Sequence, residues 1–183
     1  TTELKMPDYF DKAAIGYASL YPKGMKMRLV PMTVLDEKLV ETEPTELEVE
    51  EAKHLPFREL LGVLSYPASQ CKFEMKYAIS ILGSRRSGWS KVHFVVVLKL
   101  LEYGLSTKDI GVMYSKGLDP HGENTLYCYA DASLRVPRSW GCQIVMMNGG
   151  ALLYKAKKQS KTAPSACHSE IYSFFDGSTY TLG

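Results

Sequence analysis

The sequence predicts an α+β fold, in which a mainly helical part over residues 1–120 precedes a three-stranded antiparallel sheet with one packed helix over residues 125–175. In the first part, apolar residues recur at spacings of three and four, which is typical of helices that bury one face. In the second part, runs rich in aromatic and β-branched residues flank an Asn-Gly-Gly turn, and a helical run follows them. With 183 residues, 45% of them hydrophobic, the chain is long enough for one domain or two small ones.

The overall composition excludes few functions. A net charge of +2 is too small to indicate nucleic-acid binding by itself, and no apolar run is long enough to span a membrane. No pair of the four cysteines has CxxC spacing, and no signal-peptide pattern is visible at the N terminus. We therefore expect free thiols and an intracellular, reducing location, in the cytoplasm or the nucleus.

Residues 1–55 are predicted to be an arm followed by an acidic linker. Apolar residues at 9–20 predict one helix, or a short helix and a turn, that Pro22-Lys23-Gly24 would end. Residues 26–34 alternate loosely, as in a short strand or an extended arm. Residues 36–51 then hold eight acids and one lysine. This run predicts a solvated, poorly ordered connector, and the alternative is an acidic interaction tail or a mimic of nucleic-acid charge.

Residues 56–120 are predicted to form a segment of three short helices. The first begins near Pro56 and is ended by Pro67. The second covers residues 73–82, and the third begins after Ser90 as N-cap and is ended by Gly104. A possible strand at 110–114 and a loop rich in turn formers at 115–124 complete the segment, so the domain boundary is expected near residue 120.

Residues 121–183 are predicted to form the sheet and its helix. The three strand patterns share alternating apolar residues and lie at 126–132, 140–148 and 151–157. Asn148-Gly149-Gly150 supplies the positive φ angles of a tight hairpin turn, so the second and third strands should be antiparallel neighbours. Pro164 and Ser165 are predicted to open a helix that continues to about Phe175.

Two acids in this last part have unusual positions. Asp131 lies in the middle of a predicted strand, where aspartate is disfavoured, and Glu170 lies inside the predicted helix. From spacing alone, surface or capping carboxylates are the commoner explanation. The adjacent pair Cys167-His168 suggests a nucleophile and base, but neighbouring residues on a helix point about 100° apart, which argues against a dyad.

Several segments occur in an order that resembles copia-type retrotransposon polyproteins. YADAS at 129–133 is similar to part of the family's YSDADWAG. SWGCQIVMMNGGA at 139–151, with KAKKQ at 155–159, is similar to STSGYVFFLNGGAVSWKSKKQ. APSACHSE at 163–170 stands where the family has ALSSTEAEY, and PFRELLGVLSY at 56–66 is similar to YRSLVGSLLYL.

The resemblance implies the C-terminal part of a reverse transcriptase, its thumb and connection region, running into a truncated ribonuclease H domain. It implies that residues 56–120 are thumb- or connection-like, and that Asp131 and Glu170 are catalytic acids that bind Mg²⁺ or Mn²⁺. Carboxylate oxygens suit such hard cations. Only two of the four acids expected in the family occur here, and the polymerase palm is absent, so enzymatic activity is left open.

The expected ligand is an RNA–DNA hybrid or another nucleic acid. Lys155, Lys157 and Lys158 on one strand, and Arg85 and Arg86 in the turn between two helices, are candidates for contacts with phosphates. The alternative for the lysines is a solubilising strand face, and the alternative for the arginines is a solvated turn.

Two function hypotheses follow. The first is a retroelement-derived reverse transcriptase/ribonuclease H fragment that contacts an RNA–DNA hybrid and hydrolyses the RNA strand, with metal, if its site is completed. The second is a non-catalytic, domesticated fragment that serves as a structural subunit of a larger complex. In that complex a protein partner would cover the open edge of the sheet.

Overall fold

A computed structural model describes residues 1–20, 40, 42–85 and 88–182. The chain divides into two compact units. The helical unit comprises Lys5–Gly111, and the sheet unit combines Thr1–Leu4 with Val112–Gly183. The division lies a few residues ahead of the boundary predicted near residue 120. The predicted strand at 26–34 and the candidate Arg86 lie outside the described residues.

The helical unit contains five α-helices among its described residues: α1 Pro7–Tyr17, α2 Glu46–Ala52, α3 Phe57–Gln70, α4 Lys76–Gly83 and α5 Lys91–Ser106. Short 3₁₀ turns cover Ala18–Leu20 and Phe73–Met75. Its core includes the fully or almost fully buried side chains of Phe10, Phe57, Leu60, Leu64, Ile81, Leu82, Leu98 and Leu101. Ile15, one of the apolar residues that predicted the first helix, is exposed instead.

Pro67 does not end its helix, contrary to the prediction. It lies inside α3, which continues to Gln70. A proline within a helix has no N–H to give to the carbonyl four residues earlier, here that of Val63. The Tyr9 hydroxyl of α1 donates to this carbonyl oxygen at 2.8 Å, so a tertiary contact supplies the missing hydrogen bond.

Gly104 does not end its helix either, because α5 continues to Ser106. Its role is close packing: a Cβ atom at this position would lie only 2.2 Å from Cε1 of Phe10. The missing side chain allows the ring of Phe10, which is fully buried, to pack directly on the backbone of α5. Ser90 is the N-cap of α5, as predicted, in a capping box with His93.

Part of the predicted acidic linker is helical. Residues 46–52 form α2, which begins at a capping box in which Thr45 and Glu48 exchange hydrogen bonds. The acids in the first turn of α2 interact favourably with the positive end of the helix dipole. Ala52 is fully buried and Glu51 pairs with Lys91 at 3.0 Å, so this segment is attached to the helical unit.

The sheet unit contains two antiparallel sheets. The smaller pairs β1 (Thr2–Leu4) with β2 (Val112–Tyr114), a partner that the sequence did not predict. The larger has the order β3-β4-β5, with β3 at Tyr127–Ser133, β4 at Trp140–Met147 and β5 at Gly150–Lys158. Helix α6, Ala166–Leu182, packs on β3 and β4 and is longer than predicted. The three-stranded antiparallel sheet with one packed helix is therefore confirmed.

The hairpin turn between β4 and β5 has the predicted chemistry. Asn148 and Gly149 have φ angles of 51° and 78°, the left-handed values that a tight antiparallel turn requires. The exposed segment before β3 packs on this turn, since the side chain of Asp119 accepts a hydrogen bond from Asn148 N at 2.9 Å. Across the described ranges, no helix combines the length and the apolar character that crossing a membrane requires.

Candidate functional site

A polar clamp holds α6 against the centre of the large sheet. The hydroxyl of Ser173 donates to the backbone oxygen of Asp131 at 2.6 Å and accepts from Gln143 Nε2 at 2.8 Å. Ser173 and Gln143 are buried, so these hydrogen bonds are shielded from water. A second buried pair lies one turn earlier in the helix, where Gln159 Nε2 donates to the carbonyl oxygen of Ser169 at 2.8 Å.

The same contacts define the two faces of the sheet. A Cβ atom at Gly177 of α6 would touch Cys128, Ala130 and Gln143, so these side chains lie on the helix side. Side chains alternate between faces along a strand. Asp131 therefore lies on the opposite side, which we call the outer face.

Asp131 lies on this outer face in β3, an edge strand of the large sheet. It is exposed and pairs with Cys142 of β4, which in turn pairs with Ala156 of β5. Burial raises the pKa of the Cys142 thiol, and the Asp131 carboxylate adds to that rise, whereas a hydrogen bond with Tyr154 opposes it. The Asp131 carboxylate and the Cys142 thiol are thus electrostatic neighbours on the outer face.

Glu170 lies in the second turn of α6 and is exposed. It precedes the clamp residue Ser173 by three positions, so it lies about one helical turn from the point where α6 contacts the backbone of Asp131. The fold brings the two acid-bearing segments together. It places Asp131 on the outer face and Glu170 at an exposed position of the helix layer. The one described strand partner of β3 is β4.

The donor set does not complete a two-metal centre. Within the described residues there is no group of three or more His, Cys, Asp or Glu side chains placed to hold a metal ion. Asp176, the next acid along α6, pairs with Lys157 at 2.7 Å. Two carboxylates are hard oxygen ligands that Mg²⁺ accepts, but a pair of ions about 3.5–4 Å apart is normally held by a larger set.

The three candidate lysines of β5 do not share one surface. Lys155 and Lys157 project to the helix side, where Lys155 contacts the hydroxyl and ring of Tyr180 and Lys157 pairs with Asp176. The hydrogen bond from Lys157 to Asp176 raises the pKa of the lysine. Lys158 lies on the outer face, with its ammonium 5.8 Å from the centre of the Trp140 ring. Because successive side chains of a strand point to opposite faces, Lys158 lies on the face opposite Lys155 and Lys157.

Arg85 is mainly a structural residue in the helical unit. Its Nε donates to the carbonyl oxygen of Val40 at 3.1 Å, its guanidinium pairs with Glu43, and its side chain is 12% exposed. The phosphate contact considered from the sequence stays a prediction. In the Cys167-His168 pair, His168 Nδ1 lies 2.8 Å from Ser165 Oγ, so its ring takes part in the N-terminal turn of α6.

Sequence reasoning missed the aromatic group on the outer face. His121, Tyr127 and Tyr129 form two edge-to-face contacts, with ring centres 4.6 Å and 5.6 Å apart. The alternation of Tyr127 and Tyr129 along β3 was a usable signal, because both must share a face with Asp131. His121 is added by the loop before the strand, which only the tertiary structure shows.

Comparison with known proteins shows sequence similarity to retrotransposon polyproteins. Over 158 residues the chain is 25% identical to the Transposon Ty1-JR2 Gag-Pol polyprotein of Saccharomyces cerevisiae, a match that covers 84% of this chain and 9% of the polyprotein. The Transposon Ty1-BL Gag-Pol polyprotein matches to the same extent. The chain is also 24% identical over 122 residues to Secreted RxLR effector protein 161 of Plasmopara viticola, which covers 64% of this chain and 83% of the effector.

These similarities support a retrotransposon origin for the chain and agree with the resemblance seen in its motifs. The chain spans less than a tenth of the length of the Ty1 polyproteins that it matches. No protein-family model and no solved structure matches it.

Proposed function

We propose that this chain is a retroelement-derived reverse transcriptase/ribonuclease H fragment that contacts RNA–DNA hybrid. In this proposal Asp131 and Glu170 are its contribution to a carboxylate site that hydrolyses the RNA strand once further acids complete it. The observation that carries the proposal is the clamp between Ser173 and the backbone of Asp131. It packs the helix that carries Glu170 against the strand that carries Asp131, within a β3-β4-β5-α6 order. These are the two positions that the motif resemblance assigns to metal-binding acids.

The roles of the two acids follow from their positions. Each is exposed, so each carboxylate is able to reach a cation that approaches from solvent. Divalent cations in such sites activate water and stabilise the leaving oxygen of a phosphodiester. Since the described donors do not complete that site, the activity assigned to the chain itself is cation-assisted contact with the hybrid backbone, and hydrolysis belongs to the completed form.

A second function is favoured by a specific observation. Within the described residues β3 pairs with β4 and has no strand on its other side, and α6 exposes Ile171, Phe174 and Phe175. An unpaired edge and exposed large apolar side chains are typical of surfaces that a partner covers. A non-catalytic structural subunit, recruited from the retroelement, fits this surface.

The test compares hybrid binding with and without Mg²⁺. A fluorescently labelled RNA–DNA hybrid is titrated with wild-type protein, Asp131→Asn, Glu170→Gln and the control Glu123→Gln, which removes an exposed acid of the same unit that pairs with Lys116. We expect Mg²⁺ to strengthen hybrid binding by wild type and by the control, and to have little effect on the two site variants, because each has lost one anionic cation ligand.

Cleavage of the same hybrid is followed in Mg²⁺ and in Mn²⁺. RNA cleavage that Asp131→Asn abolishes shows that further acids complete the site. Folded wild-type protein that neither binds nor cleaves the hybrid overturns the proposal and leaves the structural subunit. Equal Mg²⁺ dependence in wild type and both site variants overturns the assigned roles of Asp131 and Glu170.

A further inference from the structure

The outer face of the large sheet carries an open aromatic ring beside the candidate site. Tyr129 is 55% exposed, and it faces outward because it shares the alternation of Asp131. Two residues along a strand span about 6.6–6.8 Å, which is the expected separation of the Tyr129 and Asp131 Cα atoms. Its cross-strand neighbour is Ile144 of β4, which in turn pairs with Tyr154 of β5.

This ring is not part of the core of the sheet unit. The contacts with α6 are made by the opposite face, through Ala130, Gln143 and their neighbours. Tyr127 is half-buried between the rings of His121 and Tyr129, in contacts with interplanar angles of 67° and 87°. Tyr127 therefore supports its neighbours, and Tyr129 is the tyrosine of the group that keeps an exposed surface; His121 is exposed as well.

The loop that carries His121 is held in place by hydrogen bonds. Asp119 accepts from His121 N through Oδ1 and from Asn148 N through Oδ2, both at 2.9 Å. Asn124 and Asn148 exchange two hydrogen bonds, each 2.9 Å long. The loop that carries His121 is thus hydrogen-bonded to the hairpin turn of the sheet. Because the loop is already ordered, it loses little conformational entropy when a ligand stacks on the aromatic group.

Positive charge lies at the other end of the same face. Ser133 pairs with Trp140, which pairs with Lys158, so Lys158 belongs to the outer face at the far end from Tyr127. Lys158 is exposed, and Arg138, two residues before Trp140, is exposed as well. An open aromatic ring with cationic groups on one side is the combination that binds the bases and the backbone of single-stranded nucleic acid.

We propose that the outer face binds unpaired nucleotides, with a base stacked on Tyr129 and the following backbone directed toward Lys158. The ligand class is single-stranded RNA or DNA, with little base preference because every base offers a flat face to stack on. The inference extends the proposed function and rests on it for the choice of nucleic acid as the ligand. It assigns a separate role, because it requires Tyr129 and neither carboxylate.

The test measures binding of short fluorescent oligo(dT) and oligo(U) by anisotropy at low salt. Tyr129→Leu removes the aromatic ring and keeps an apolar side chain, whereas Tyr129→Phe keeps the ring. Phe174→Leu is the matched control, since Phe174 is a 71% exposed aromatic side chain on the helix layer of the same unit. We expect Tyr129→Leu to weaken binding roughly 5- to 100-fold, as loss of one stacked base predicts, and Tyr129→Phe and Phe174→Leu to change it less than about twofold.

Two further readouts separate the possible outcomes. Thermal unfolding shows whether Tyr129→Leu is folded, and ultraviolet crosslinking of a 4-thiouridine oligonucleotide to wild type, mapped by mass spectrometry, should label the strand that contains Tyr129. Wild type that does not bind either oligonucleotide, equal weakening by Tyr129→Leu and Phe174→Leu, or a crosslink confined to α6 overturns the inference. Loss of oligonucleotide binding in Tyr129→Leu with hybrid binding and its Mg²⁺ dependence intact supports it. If Asp131→Asn loses Mg²⁺-dependent hybrid binding and still binds the oligonucleotides, the result tests the roles of the carboxylates in the proposed function and agrees with a separate role for Tyr129.

Discussion

The hydroxyl of Ser173 in α6 donates to the backbone oxygen of Asp131 in β3 at 2.6 Å, and the same hydroxyl accepts from Gln143 of β4 at 2.8 Å. One side chain therefore ties the helix to two strands. The carbonyl that it binds belongs to the residue whose carboxylate lies on the other side of the sheet. This contact is one of those that hold α6 on the sheet, together with the Gln159–Ser169 hydrogen bond and the Lys157–Asp176 ion pair.

Replacing Ser173 with Ala should lower the free energy of unfolding by roughly 1–3 kcal/mol, because the buried Gln143 amide and the Asp131 carbonyl both lose a partner. The measurement is urea unfolding followed by circular dichroism. Thr179→Ala is the control, since Thr179 is exposed and its hydroxyl donates to the Asp176 carbonyl within its own helix. If the two substitutions lower the unfolding free energy equally, the buried Ser173 hydrogen bonds stabilise the protein no more than an exposed hydroxyl within the helix does.

The hydrogen bond from Tyr9 to Val63 should depend on Pro67. Tyr9→Phe leaves the Val63 carbonyl without its donor and should cost about 0.5–1.5 kcal/mol of unfolding free energy. In a Pro67→Ala background the alanine N–H is able to bond to Val63, so the same Tyr9→Phe change should cost less. A double-mutant cycle in urea measures this coupling.

Tyr66→Phe is the matched control for that cycle. Tyr66 is exposed, and its ring lies 5.5 Å from that of Tyr9. Removing its hydroxyl should change the unfolding free energy by less than about 0.5 kcal/mol in either background. An identical cost of Tyr9→Phe in the wild-type and the Pro67→Ala backgrounds would mean that the proline and the tyrosine act independently.

His93 should make the helical unit less stable as the pH falls below about 6.5. Burial lowers the pKa of His93, and the nearby Arg85 adds to this, while the hydrogen bond to Val40 and the acids Glu43 and Glu48 oppose it. Nδ1 accepts from Ser90 N at 3.1 Å, so protonation of Nδ1 would place two donors against each other. The unfolded chain therefore binds the proton more readily, and stability is full above the unfolded pKa of 6.5 and decreases below it.

The measurement is the slope of the unfolding free energy between about pH 7.5 and about pH 5.5, a range above the main titration of carboxylates. His93→Gln keeps an N–H donor that is able to reach the Val40 carbonyl but does not titrate, so its slope should be smaller. His54→Gln is the comparison, because it removes a histidine outside the core, exposed at the surface. A slope that His93→Gln leaves unchanged would assign the pH dependence to other groups.

The sequence was most informative where a local rule decides the structure. Asn148-Gly149 predicted the hairpin turn because few other residues adopt its positive φ angles. Ser90 predicted the start of α5, and the strands of the large sheet were found within a few residues. The candidate acids were located on the correct element types, a strand and a helix, whereas their metal-binding role stays a prediction.

The predictions that failed are those in which a distant residue replaces or overrides a local preference. Tyr9 supplies the hydrogen bond that Pro67 cannot, and Phe10 occupies the space that Gly104 leaves, so neither residue ends its helix. The lysines of β5 were candidates for contacts with phosphates, and that role stays a prediction. The pleat of the strand directs Lys157 to Asp176 and Lys158 to Trp140, so these two lie on opposite faces.

By itself, the sequence determined the α+β class, the order of the three large-sheet strands and the helix after them, the hairpin turn and the similarity to retrotransposon proteins. These depend on residues close together in the chain or on motif order. Only the tertiary structure decided that β1 pairs with β2, that Asp131 lies on the face opposite α6, and that His121 joins Tyr127 and Tyr129. The physical reason is that contacts between distant residues depend on which faces are buried together, and spacing along the chain does not specify that.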